Sequence, residues 1–281
     1  MNTMIRQITH PGEPARDRIT AQPCDAVPLR LTLRSGQSLS GAVPQALAAA
    51  GFGFGYLRID GAVFAPLVFV TPAHAPDSSH AAWYSDTYTL SSPARVRHGG
   101  VHLGRRDGAP FLHCHAIWDT SDGLPDAGHL LCDDSILEQD CTVTGWGIKG
   151  AGLMSHQDPE TNFSLFCPKP LTPTAGHNAF IVTLRPNQDI TSALIDFTRQ
   201  HDINRAEIVG IGSLVGTVFA DGDTISSFAT EILILSGHLK DRTVDLEVIS
   251  VGLDGHARVG FLAPDLNAVC VTFEVMLLCN G

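Results

Sequence analysis

Charge is scarce in this chain, and positive charge scarcest. Only 17% of the 281 residues are charged, with 18 basic against 29 acidic and a formal net charge of -11. A protein that coats nucleic acid normally carries a basic surface, because phosphate neutralisation supplies most of its non-specific affinity. The balance here makes nucleic acid an unlikely partner. One local basic group, Arg95, Arg97, Arg105 and Arg106, straddles an expected hairpin and reads as solvated turn charge. Long apolar runs are also missing. No segment reaches the roughly 20 apolar residues needed to cross a bilayer, and no charged start followed by an apolar stretch marks a signal peptide. A soluble, cytoplasmic protein without a membrane partner is expected. The seven cysteines are scattered, with no C-x-x-C pair, so reduced and mostly buried thiols are expected rather than a disulfide framework.

What is plentiful is apolar surface. The hydrophobic fraction of 44% is ample for a packed core, and the length allows two ordinary domains. Residues 1–28 contain Pro11, Pro14, Pro23 and Pro28 and read as an irregular arm. Leu29–Arg34 alternates as a strand does. Gln37–Ala50 reads as a helix, with Ser38 or Ser40 as N-cap and Gly51 past its end. Strand-like runs follow at Tyr56–Ile59 and Ala62–Val70. The same order then returns. Thr32–Leu39 matches Thr183–Ile190, and at the same offset Leu57–Val63 falls on Ile208–Leu214. Gly100–Leu103 resembles Ser236–Leu239, and Phe111–Trp118 falls on Val244–Val251. Matches in one order imply duplication, and the period is too long for a solenoid. The expected division is therefore an arm (1–28), a first domain (29–148), a linker (149–177) and a second domain (178–281). Asp158–Phe163 within the linker reads as packing between the domains. Each copy is α+β, a mostly antiparallel sheet with one main helix.

Three stretches carry a family resemblance: Val182–Ile190, Gly210–Ser213 and Glu231–His238. Together they resemble the plants-and-prokaryotes-conserved (PPC) domain. In the first copy, Phe111–His115 followed by Gly128–Leu130 is similar to the histidine motif of prokaryotic members. The resemblance implies a compact α+β fold, a homotrimer with sites near subunit interfaces, and a divalent metal held by His113, His115 and His129. Plant members add a hook that grips the DNA minor groove. This chain has no Arg-Gly-Arg-Pro segment, so that role does not carry over.

The histidine spacing has its own logic. Residues two apart on a strand project from one face, so His113 and His115 can converge on one ion at about 2.0–2.1 Å each. Cys114 then points to the opposite face. The turn-rich Asp119–Pro125 lets Asp126–Cys132 return as the paired strand and bring His129 alongside. Among 13 histidines, chance alone supplies an H-x-H about as often as not, so the spacing gains its weight from the hairpin and the resemblance. In the second copy the positions facing His113 and His115 are Leu246 and Val248, and His129 falls on Phe261. That copy is expected to bind no metal.

Three protein ligands leave a coordination position open, the pattern of catalytic sites. The leading expectation is thus a metal-dependent hydrolase or lyase, with zinc as the metal, acting on a small carboxylate-bearing metabolite. Glu138 or Asp140 would serve as general base and Arg34 as the carboxylate clamp. His98 and His102 are possible neighbours of the metal. The alternatives are a non-catalytic DNA-binding or regulatory protein, and a metabolite-binding sensor.

Overall fold

The computed structural model describes residues 5–120, 124–174 and 176–279. Part of the expected turn (121–123), the arm's first four residues, residue 175 of the linker and the last two residues of the second domain lie outside the described residues. Two α-helices occur among the described residues, α1 (Leu39–Ala49) and α2 (Ile190–Gln200). Each starts where a side chain accepts an otherwise unpaired N–H: Ser38 takes that of Gly41, and Asp189 that of Ser192 at 2.8 Å.

The first half runs β1 (Ile19–Leu33), α1, β2 (Gly55–Arg58), β3 (Val63–Phe64), β4 (Leu67–Val70), β5 (Pro72–Ala73), β6 (Trp83–Tyr84), β7 (Tyr88–Leu90), β8 (Ala94–Arg106), β9 (Ala109–Trp118), β10 (Ala127–Leu130) and β11 (Cys141–Lys149). A hairpin follows, β12 (Ala151–Gln157) and β13 (Ser164–Pro170). The second half runs β14 (Ala179–Leu184), α2, β15 (Arg205–Leu214), β16 (Thr217–Val218), β17 (Thr224–Ile225), β18 (Thr230–Lys240), β19 (Thr243–Val251), β20 (Ala257–Phe261) and β21 (Val269–Cys279). Antiparallel pairing in the first half follows the order β1-β11-β2-β8-β9-β10. In the second it follows β14-β21-β15-β18-β19-β20. The two halves share one strand order, and the mostly antiparallel α+β reading is met.

Two parts of the expected division differ. The arm is not irregular throughout, because β1 begins at Ile19 and bridges the halves: Ile19–Cys24 pair with β14 and Asp25–Leu33 with β11. Pro23 and Pro28 fit because each stretch is paired on one side only, so an imide nitrogen breaks no ladder bond. Before β1 the arm is also docked. Gly12 donates its N–H to the Glu160 carbonyl at 3.0 Å, and a Cβ there would lie 1.8 Å from the Pro159 oxygen, so only glycine fits. Nor is the linker a plain tether, since β12 pairs in parallel with β8 through Met154 and Ser155.

Each half has its own apolar core. Leu33, Leu47, Phe69, Cys114 and Trp118 belong to the first, and Leu194, Ile208, Leu246, Val248 and Phe273 to the second. Two further clusters lie between them. One joins Tyr56, Ile148 and Phe166 to Ile181, Val209 and Met276; the other joins Ile117 and Ala127 to Ile211, Leu233 and Ile249. The face of β9 that turns away from the first core is therefore covered by the second half. Gly100 marks how closely they meet: a Cβ there would lie 2.8 Å from the Leu233 side chain and 2.3 Å from the Tyr56 hydroxyl.

Candidate metal centre

Alternation along β9 sends Leu112, Cys114 and Ala116 into the first core and His113 and His115 to the opposite face. His129 of β10 lies directly across from His115. The three ring centroids are 4.7–5.3 Å apart, and one ligand atom from each falls within 4.8 Å of the others. Burial first, and then His113, hold His129 down to about 3; burial, His113 and His129 hold His115 well below the ordinary range. Both are neutral at pH 7, the form that ligates a metal.

Hydrogen bonds fix which nitrogens face inward. The His115 Nδ1–H donates to the Ile232 carbonyl at 3.0 Å, and a carbonyl can only accept. The His113 Nδ1–H donates to Glu274 Oε2 at 3.0 Å. Both Nε2 lone pairs then face each other across 3.1 Å. Two lone pairs repel at that distance unless a proton or a cation lies between them. Ligands at about 2.0–2.1 Å from one ion span 3.1 Å at an angle of roughly 100°, so the pair fits a single divalent metal. A histidine held through its far nitrogen by a carboxylate or carbonyl is the usual support of a metal ligand.

Both supports come from the second half. Glu274 lies on β21 with its side chain 2% exposed, and Thr272 Oγ1 donates to its other oxygen at 3.3 Å. Sequence reasoning missed it, although a lone acid in the apolar run Val269–Cys279 was a visible signal. Glu231, one acid in the equally apolar Thr230–Leu235, is a second such case.

The histidines open onto a cavity of about 260 Å³ between the halves. Trp83 and Tyr84 of β6 form one wall, with the Tyr84 ring 5.4 Å from that of His129. Phe163, at the tip of the β12–β13 hairpin, lies 5.5 Å from Trp83. Asn162 ties this tip to the loop before β6 by donating to the Ser79 carbonyl at 2.8 Å. The segment Asp158–Asn162 thus holds the wall in place without lining the cavity. Its acids turn inward, Asp158 to Arg185 at 2.7 Å and Glu160 to Arg18 at 2.8 Å.

The other expected site residues lie elsewhere. Arg34 and Asp140 pair with each other at 2.6 Å with side chains 69% and 46% exposed, and Glu138 is exposed near the same edge. None of the three lines the cavity. His98 faces Asp60 at 3.6 Å on the surface. His102 is different: it is 1% exposed and directly across from His113, with burial holding it down to about 4.

The expected correspondence between copies is off by one residue. Leu246 and Val248 face the second core, as Cys114 and Ala116 face the first. Pairing gives the true counterparts. His102 lies opposite His113 as His238 lies opposite Asp245, and His115 opposite His129 as Glu247 opposite Phe261. The second-half equivalents of the three histidines are therefore Asp245, Glu247 and Phe261. Phe261 is 51% exposed and fills no core.

The Plants and Prokaryotes Conserved (PCC) domain model matches residues 172–279. No curated protein matches the chain. Several solved structures are similar to about half of it. One, a metal-containing protein from Archaeoglobus fulgidus, is 19% identical and covers 52% of this chain and 96% of its own, with a TM-score of 0.43. A plant- and prokaryote-conserved (PPC) protein from Pyrococcus horikoshii is 13% identical over 53% of this chain and 96% of its own, TM-score 0.39. A protein from Bacteroides thetaiotaomicron, named as a candidate DNA-binding protein, is 12% identical over 52% and 97%, TM-score 0.38.

Proposed function

With a PCC domain in its second half, we propose that the chain is a non-catalytic, regulatory ligand-binding protein that uses a metal as part of its binding site. The reading of a hydrolase or lyase acting on a carboxylate metabolite is set aside. The matched domain is named for where it occurs rather than for a reaction, and similar structures are named as conserved or as candidate DNA-binding proteins. The residues expected to act as base and clamp also lie outside the cavity.

In this reading His113, His115 and His129 hold one divalent cation, with zinc as the fit for an all-nitrogen set. The observation that carries it is the pair of Nε2 lone pairs facing each other, with Nδ1 of each ring committed to Glu274 or Ile232. A metal held by these residues would supply Lewis acidity to the cavity. The second half supplies the acceptors that orient the rings, and the aromatic wall excludes water. The two halves act as copies of one domain, 29–148 and 178–281, a division supported by their common strand order. Three chains are the expected assembly.

Elemental analysis of the purified protein tests this. About one divalent metal per chain is expected, falling steeply in His113→Ala and His129→Ala. No metal, or two per chain, would overturn it. Tight, salt-sensitive DNA retention in a gel-shift assay would replace the sensor reading with a DNA-binding one, the partner that composition argued against.

A further inference from the structure

Among the described residues, two buried side-chain atoms at the cavity have no hydrogen-bond partner, Nδ1 of the ligand candidate His129 and Oε2 of Glu231. Glu231, at the start of β18, is 8% exposed, and its Oε2 is buried without a hydrogen-bond partner. Its neighbours are committed elsewhere. Thr230 Oγ1 bonds to Thr217 and Thr272 Oγ1 to Glu274, while Ser213 Oγ accepts from Val271. Arg106 also borders the cavity, but its guanidinium lies 3.5 Å over the Phe111 ring and its Nε donates to Ser155. A buried acceptor left unmade costs more than an average hydrogen bond gains. No cationic side chain reaches Glu231 among the described residues.

We infer that the cavity takes a small planar nitrogen base, whose N–H or ammonium donates to Glu231 Oε2 while its ring lies on the wall of Trp83, Tyr84 and Phe163. The inference rests on the sensor reading in one respect only, that the metal shares the cavity. The chemistry is specific. A charged nitrogen donor gives Glu231 a hydrogen bond and a counter-charge at once. A carboxylate ligand has only acceptors to offer, so it pairs with Glu231 only where the acid keeps its proton, and it brings no counter-charge. The volume of about 260 Å³ suits one or two fused rings, and aromatic walls favour a flat ligand over a branched one.

Two matched probes test it, 2-aminobenzimidazole and benzimidazole-2-carboxylate, titrated by calorimetry into the zinc-loaded full chain. The amine is expected to bind at least about tenfold tighter, the scale of a charge-assisted hydrogen bond. In Glu231→Gln the amine is expected to lose that tenfold while zinc content is unchanged. A carboxylate that binds as tightly as the amine, no binding of either probe at millimolar concentration, or equal amine affinity in Glu231→Gln would each overturn the inference. Should Glu231→Gln fail to fold, the comparison of the two probes on the wild-type chain decides. A chelator-treated arm separates the two readings. Amine preference that persists without metal upholds the inference even if the chain is found to hold no metal.

Discussion

At the scale of single residues, the support from the second half is the most direct lever on the metal. Replacing Glu274 with Gln keeps its shape and removes the charge that holds the His113 ring. Zinc affinity is expected to fall about 10–100-fold, read by competition with a chelating dye, and unchanged affinity would refute the support role. The buried titrating groups set a pH signature in metal-free protein. His102 and His129, held down to about 4 and about 3, and His115 stay neutral in the fold, while unfolded histidines protonate near 6.5. Below that value the unfolded chain binds more protons, so stability falls as the pH drops. Burial raises Glu231 to about 8 from 4.5. Between those values the folded state binds more protons, so this group's contribution falls as the pH rises. Three histidines outweigh one acid below about 6.5, and the acid acts alone above it. The Tm of chelated protein is therefore expected to peak near pH 6.5. In Glu231→Gln the decline from there to pH 8 should vanish. A wild-type Tm that climbs steadily to pH 8 would contradict this assignment.

At the scale of elements, much was legible and the exceptions have physical causes. Ser38 and Gly51 bracket α1, and alternation along Phe111–Trp118 told His113 and His115 apart from Cys114. The first part of β1, Ile19–Pro28, was hidden by Pro23 and Pro28, which break a central strand but not one paired on a single side, while Leu29–Leu33 was legible. The one-residue error in aligning β19 with β9 has another cause. Only the end of β19, Ile249–Val251, is buried on both faces, and there polarity shows no period of two. Matching Phe111–Trp118 to Val244–Val251 followed that apolar end, and a slip of one residue exchanged the faces, although the alternation of Thr243–Val248 marks them. Two substitutions report the corrected register. Leu246→Ala is expected to cost about 2–5 kcal/mol in urea unfolding, as a core truncation does. Phe261→Ala, on the surface of the single chain, should cost less than about 0.5 kcal/mol when unfolding starts from the dissociated chain. The reverse order would restore the original alignment. Ile232 was beyond reach for a different reason, since its partner lies across the contact between halves; for Glu274 the lone acid in an apolar run was visible, but its partner His113 was not.

At the scale of the whole molecule, the duplication leaves an asymmetry. In the first half, the face bearing His113, His115 and His129 is covered by the second half. The equivalent face of the second half is covered by the first half at Ile249 and Val251, but its other end, with His238, Asp245 and Phe261, is exposed to solvent. It ends in β20, whose only ladder among the described residues is with β19, its other edge meeting no backbone group but the Ala220 N–H at the Phe261 carbonyl; it exposes Val259 (54%) and Phe261 (51%) on alternate residues of one face. An exposed apolar edge strand invites pairing with another chain unless something covers it. The domain has already solved that problem once within this chain, by packing a second copy of itself on the equivalent surface. The same contact made between chains would cover Phe261, and three chains are the number expected from the family resemblance. Sedimentation at micromolar concentration should therefore give a species heavier than the 30.0 kDa chain. Phe261→Asp should shift it toward monomer, because an acid beside Glu247 is disfavoured in a buried contact. The metal content of that variant should be unchanged, since its histidines are covered within the chain. A wild-type monomer would show that the open face is a surface in its own right, and metal loss on dissociation would show that the site needs a second chain.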